Sequence, residues 1–100
     1  MLPADAMHHV DAVVEGFVQG VGFRAFVLRE AHALGLAGEV RNRGDGAVLV
    51  EAEGERVSLE RLIEALERGP AAARVTRVAI RWSEGPARHR GFSIAASRPR

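Results

Sequence analysis

"GEVRNRGDGAVLVEAEG", residues 38–54, decides how the rest of the chain is read. Val40 and Asn42 share one face of its first half, with Glu39, Arg41 and Arg43 on the other. In its second half Val48, Val50 and Ala52 alternate against Leu49, Glu51 and Glu53. A period of two predicts two strands, each with one apolar face. Gly44, Asp45 and Gly46 between them tolerate positive φ, so the two strands close as a hairpin. On both sides of this hairpin the apolar period changes to that of a helix.

Upstream, "FRAFVLREAHALG" (23–35) puts Phe23, Phe26, Val27, Ala31 and Leu34 at helical spacing, and Gly35 fits the position just past a helix end. Before it, Val10, Ala12, Val14 and Gly16 alternate against His9, Asp11, Val13 and Glu15, which predicts a strand. Downstream, Leu59, Leu62, Ile63 and Leu66 form one apolar stripe, while Glu60, Arg61, Glu64, Glu67 and Arg68 cover the rest of a second helix. Ser58 is its predicted N-cap, with Val57 and Leu62 at the spacing of a hydrophobic staple, and Gly69-Pro70 ends it. "RVTRVAIRW" (74–82) alternates Val78, Ile80 and Trp82 against Arg77, Ala79 and Arg81. The turn "SEGPARHRG" (83–91) then leads to a last short strand, "FSIAA" (92–96).

The order β-α-β-β-α-β with a terminal strand predicts an α+β fold. The expected form is a ferredoxin-like βαββαβ sandwich: a mainly antiparallel four- to five-stranded sheet with two helices on one face. The expected boundaries are a flexible N-terminal tail over 1–8, a single domain over 9–97 and a C-terminal tail over 98–100. A chain of 100 residues supports one small core, and 47% hydrophobic residues suit a globular protein.

Composition narrows the function classes. No apolar run reaches the roughly 18–20 residues of a membrane span, and no basic segment followed by an apolar core opens the chain. There is no cysteine, which removes disulfides, thiol catalysis and thiolate metal ligands together, so the cytoplasm is the expected compartment. The net charge is +1, although the pI is about 9.0. With no Lys, Tyr or Cys, little titrates between the histidines and the arginines, so the high pI is not a nucleic-acid signal. Of the aromatics, Phe17, Trp82 and Phe92 fall in predicted strands without the aromatic-basic clustering of an RNA-binding sheet. Neither nucleic acid nor membrane is an expected partner, no cofactor or metal is expected, and the expected state is a monomer.

"GFVQGVGFR" (16–24) joins the first strand to the first helix. Successive backbone N–H groups in such a turn converge on one point, and the helix N-terminus adds positive potential. Gly20 and Gly22 permit close approach, and the planar fork of Arg24 matches two phosphate oxygens. The spacing is neither a Walker A loop nor a dinucleotide fingerprint. Glycine spacing alone leaves two readings open: an anion cradle, or a tight turn that serves packing beside a solvated arginine. Gln19 and Asn42, the one glutamine and the one asparagine in the chain, both sit near glycine-rich turns. For Asn42 two readings also stay open: an amide beside a phosphate site holds a water by donating and accepting hydrogen bonds, or it only shapes the approach to the 44–46 turn. Elsewhere, His8 and His9 read as a solvated tail, His32 and His89 as surface residues, Trp82 as core, and Glu51, Glu53 and Glu55 as a solvated strand edge and loop.

Two segments resemble the acylphosphatase family: G-x-V-Q-G-V-G-F-R at 16–24 and G-L-x-G-x-V-R-N-x-x-D-G-x-V at 35–48. "GPAAARVTRV" at 69–78 is similar to the family's link between second helix and fourth strand, and the resemblance runs from about residue 10 to residue 96. It implies hydrolysis of an acyl phosphate, a small-molecule substrate, to a carboxylate and inorganic phosphate. The family's phosphate-binding loop falls on Gln19, Gly20, Val21, Gly22 and Phe23, its essential arginine on Arg24 and its water-orienting asparagine on Asn42. Glu39 stands where relatives often carry tryptophan. The resemblance also extends to a domain of the large carbamoyl-transfer protein of hydrogenase maturation, which implies carbamoyl phosphate as the alternative substrate. A non-catalytic ferredoxin-like binding module is the third reading.

Overall fold

The structure, a computed structural model, describes residues 6–99. Its elements are β1 (Ala6–Phe17), α1 (Phe23–Ala33), β2 (Ala37–Asn42), β3 (Val48–Gly54), α2 (Arg56–Arg68), β4 (Arg74–Pro86) and β5 (Phe92–Ile94). They form a five-stranded sheet in the order β4-β1-β3-β2-β5. Every pairing is antiparallel except β2 with β5, which is parallel. This is the expected α+β ferredoxin-like sandwich.

The period-two pattern sets the core. Val10, Ala12 and Val14 of β1, Val40 of β2, and Val48, Val50 and Ala52 of β3 are all buried on one face. Phe23, Val27 and Ala31 of α1 and Leu59, Leu62 and Leu66 of α2 pack against that face in one cluster. Burying such side chains contributes roughly 1.5–3 kcal/mol each. Val78, Ile80 and Trp82 of β4 pack against the cluster while partly buried, and the Arg56 guanidinium lies 4.3 Å from the Trp82 ring.

Four details differ from the sequence expectation. β1 takes in residues 6–8, expected in the tail; they pair with Pro86, Gly85 and Glu84 of β4, which runs on through residues 83–86 of the predicted turn. Ser58 does not cap α2. The helix starts one turn earlier, with Glu55 at the N-cap and Leu59 N–H donating to Glu55 O at 3.0 Å. Arg98, expected in the C-terminal tail, is tied to the hairpin: its N–H donates to Asn42 O and its carbonyl accepts from Gly44 N–H, both at 2.9 Å.

The fourth difference concerns His9 and Glu53, expected in solvent but only 4% and 2% exposed. β4 and β5 occupy opposite edges of the sheet, so the connection between them must cross it. It crosses the face away from the helices, over Glu53. The Glu53 carboxylate accepts the N–H of Arg88 at 2.9 and 3.1 Å and that of His89 at 3.3 Å. His9 Nε2 donates towards Gly85 O and Pro86 O at 3.2 and 3.1 Å, and its Nδ1 lies 3.5 Å from Glu53. His89 is drawn to 3.6 Å from Glu51 by the same crossing. A buried carboxylate is tolerable because it is paired and hydrogen-bonded.

Candidate active site

The loop after β1 and the end of β2 meet at one pocket of about 220 Å³. Gln19, Gly20, Gly22, Phe23, Arg24 and Asn42 line it, together with Val18, Ala25 and Ile94. Six of the seven residues singled out from the sequence are therefore brought together. Val21 is not among the lining residues; its side chain packs against the core. Phe23 lines the pocket and is itself buried in the core cluster, its ring 5.9 Å from that of Phe26.

Local geometry explains the glycines. Gly20 and Gly22 have φ of 75° and 78°, the left-handed region in which residues bearing a Cβ are strained. Gly22 is the N-cap of α1, with no side-chain capping bond, and the first turn carries no acidic residue. The first i→i−4 bond of the helix is Phe26 N–H to Gly22 O at 3.0 Å. The N–H groups of Phe23, Arg24 and Ala25 precede it and have no partner within the helix. An uncapped helix start opening into a pocket is a site for an anion.

Charge points the same way. None of the ion pairs among the described residues involves Arg24. Arg43, next to Asn42, is engaged elsewhere: its Nε donates to Asp45 Oδ1 at 2.9 Å and its NH2 lies 2.9 Å from Oδ2. That hydrogen-bonded pairing raises the Arg43 pKa. The Arg43 bond, with a second from Ala47 N–H, lowers Asp45 to about 2. Arg24 is thus the cation the pocket has at its disposal. Among the described residues no carboxylate or imidazole lines the pocket.

Asn42 shares its strand face with buried Val40, so its side chain turns to the helix side of the sheet, where the loop lies. Its Oδ1 is buried and has no hydrogen-bond partner among the described residues. Most buried polar atoms are paired, so an unpaired acceptor at a pocket wall is a place for a donor that arrives with the substrate or solvent. Glu39 points to the opposite face, where it pairs with Arg41. Its departure from tryptophan leaves the pocket untouched.

Two contributions were not foreseen from the sequence. Ile94, on β5, supplies an apolar wall and is 43% exposed. Nothing local marks it; only the parallel pairing of β5 with β2 brings it to the site. The Gln19 carboxamide is turned to the hairpin, with Nε2 donating to Arg43 O and Ala47 O at 2.8 Å each.

The family model for acylphosphatase matches residues 10–94. The chain belongs to the acylphosphatase family. An acylphosphatase of Salinibacter ruber is 48% identical over 85 residues, which cover 85% of this chain and 90% of that one. One from Thermus thermophilus is 44% identical over 88% of this chain and 99% of its own. Among solved structures, the acylphosphatase from Bacillus subtilis superposes with a TM-score of 0.86 at 42% identity, covering 89% of this chain and 99% of that one. Full-length HypF, in its phosphate- and nucleotide-bound form, matches with a TM-score of 0.85 at 30% identity, over 93% of this chain but 12% of HypF. As an acylphosphatase-family enzyme, this chain is a hydrolase of acyl phosphates.

Proposed function

We propose that hydrolysis proceeds by attack of an Asn42-oriented water on a phosphoryl group held by the 19–24 loop and Arg24. The loop amides and the guanidinium take the phosphoryl oxygens through charge-assisted hydrogen bonds. Asn42 Oδ1 accepts a hydrogen bond from the attacking water and so aims the water's lone pair at phosphorus. The water oxygen bonds to phosphorus as the bond to the acyl oxygen breaks, and the acyl group leaves as a carboxylate. The water's proton passes to a phosphoryl oxygen, and inorganic phosphate is the product. A carboxylate is a good leaving group, so positioning and charge stabilisation supply the catalysis, in keeping with a pocket that offers no side-chain base.

The observation that carries this reading is the buried Oδ1 of Asn42 in the same pocket as Arg24 and an uncapped helix start. Among the described residues Oδ1 has no hydrogen-bond partner and Arg24 no ionic one. Turnover of acetyl, benzoyl and carbamoyl phosphate by the wild type, Arg24→Ala and Asn42→Ala, in buffer with EDTA, tests it. Each substitution is expected to lower kcat/KM by about 10²-fold or more. A folded variant with near wild-type turnover removes that residue from the mechanism, and loss of wild-type activity with EDTA removes the metal-free chemistry. The second reading, a domain that cleaves carbamoyl phosphate, is favoured by the match to a 12% portion of a much longer protein. Preference for carbamoyl phosphate in the same assay is its signature.

A further inference from the structure

The loop and the water-holding asparagine belong to different parts of the chain, with α1 between them. Hydrolysis requires them in register, since misplacing a reacting group by about 1 Å costs on the order of 10²-fold in rate. Among the described residues, the side chain that joins the loop directly to the hairpin is Gln19. Its carboxamide nitrogen carries two protons, and each has an acceptor at 2.8 Å: Arg43 O, one residue after Asn42, and Ala47 O, one residue before Asn42's strand partner Val48. The same two carbonyls close the turn itself, Ala47 O accepting from Arg43 N–H at 2.9 Å and Arg43 O from Gly46 N–H at 3.1 Å. Gln19 therefore grips the hairpin at the two atoms that define its mouth.

We propose that Gln19 is a positioning residue, whose side chain fixes Asn42 against the phosphate cradle and does not itself bind phosphate. Both amide protons are consumed by the hairpin. What the carboxamide has left is Oε1, an acceptor, which has nothing to donate to a phosphoryl oxygen. The backbone of residue 19 remains in the loop, so substituting the side chain leaves the cradle's N–H groups in place. Glutamine suits the position because it offers two donors on one nitrogen without charge. A glutamate there would set a carboxylate against two carbonyl oxygens. The proposal rests on Asn42 as the residue that holds the attacking water.

A double-mutant cycle tests it, with Gln19→Leu, Asn42→Ala and the combination compared with the wild type, using benzoyl phosphate as substrate and inorganic phosphate as inhibitor. Gln19→Leu is expected to lower kcat by about 10–100-fold while KM and the phosphate inhibition constant stay within about twofold. Because Gln19 acts through Asn42, adding Gln19→Leu to Asn42→Ala is expected to lower kcat no further. Gln19→Met, a longer apolar side chain, gives the same split if Gln19→Leu folds poorly. A phosphate inhibition constant that weakens as much as kcat falls puts the side chain in the phosphate grip and overturns the proposal. So does a kcat within twofold of wild type in a folded variant, or full additivity in the double mutant. A fully active Asn42→Ala refutes the water assignment and the proposal with it; a slowed Asn42→Ala whose kcat falls further, by the full single-variant factor, on adding Gln19→Leu refutes the proposal alone.

Discussion

Gly22→Ala separates the stability of the loop from its grip on anions. Gly22 has φ of 78°, and a Cβ built there meets no atom within 4 Å. The stability cost is therefore conformational strain alone, about 1–2 kcal/mol for a Cβ-bearing residue in the left-handed region. In a domain of this size each kcal/mol lowers Tm by roughly 4–8 °C. Function responds differently. Gly22 lines the pocket, so the methyl group takes space from the anion and not from the protein. Displacing the phosphoryl group from one backbone N–H removes a charge-assisted hydrogen bond of about 1.5–3 kcal/mol, a 10- to 150-fold weakening. Gly38→Ala is the contrasting perturbation. Its Cβ would lie 1.9 Å from Glu51 O and 2.9 Å from Ala52 Cα, both backbone, so β2 and β3 must part beside it. The assay pairs thermal unfolding by circular dichroism with inhibition by inorganic phosphate. Gly22→Ala is expected to lose about 1–2 kcal/mol of stability and at least tenfold in phosphate affinity, whereas Gly38→Ala loses far more stability. Unchanged phosphate inhibition in Gly22→Ala would refute the backbone cradle. A Tm loss as large as that of Gly38→Ala would refute the assignment of the strain.

Two more predictions concern groups outside the pocket. Glu53→Gln keeps the side-chain shape but sets an NH2 against one of the N–H groups of residues 88 and 89. It is expected to cost about 2–4 kcal/mol in urea unfolding, from a lost charge-assisted bond and an unpaired buried donor. A change below about 0.5 kcal/mol would show that the carboxylate does not hold the crossing segment. Asp45, lowered to about 2 from 3.8 by the Arg43 hydrogen bond, contributes stability that is complete above about pH 4 and lost as pH falls through 2. The urea midpoints of wild type and Asp45→Asn should accordingly differ by a constant amount at neutral pH and converge between pH 4 and 2. A difference unchanged down to pH 2 would remove the ion pair as its origin.

What the sequence revealed and what it concealed follow from the range of the interactions. The hairpin at 38–54 and the loop at 16–24 were legible because their constraints are local: a period of two, glycines where φ is positive, and residues that start a helix. The second helix was legible as a stripe, but not its start. Leu59 N–H finds Glu55 O, so the helix runs one turn back through Ser58, and no capping side chain marks that start. Glu53 shows the opposite limit. Its neighbours in sequence read as a solvated strand edge, and its burial is decided by a segment 35 residues later. Strand order forces that segment across the sheet, because β4 and β5 lie at opposite edges. The same crossing delivers β5 to the edge beside β2, where Ile94 reaches the pocket and Arg98 bonds the Asn42 carbonyl. Asn42 is thus held from both sides, by Gln19 through the turn that follows it and by Arg98 through its own backbone. Its side-chain oxygen, buried and without a hydrogen-bond partner among the described residues, is left for a group that enters the pocket.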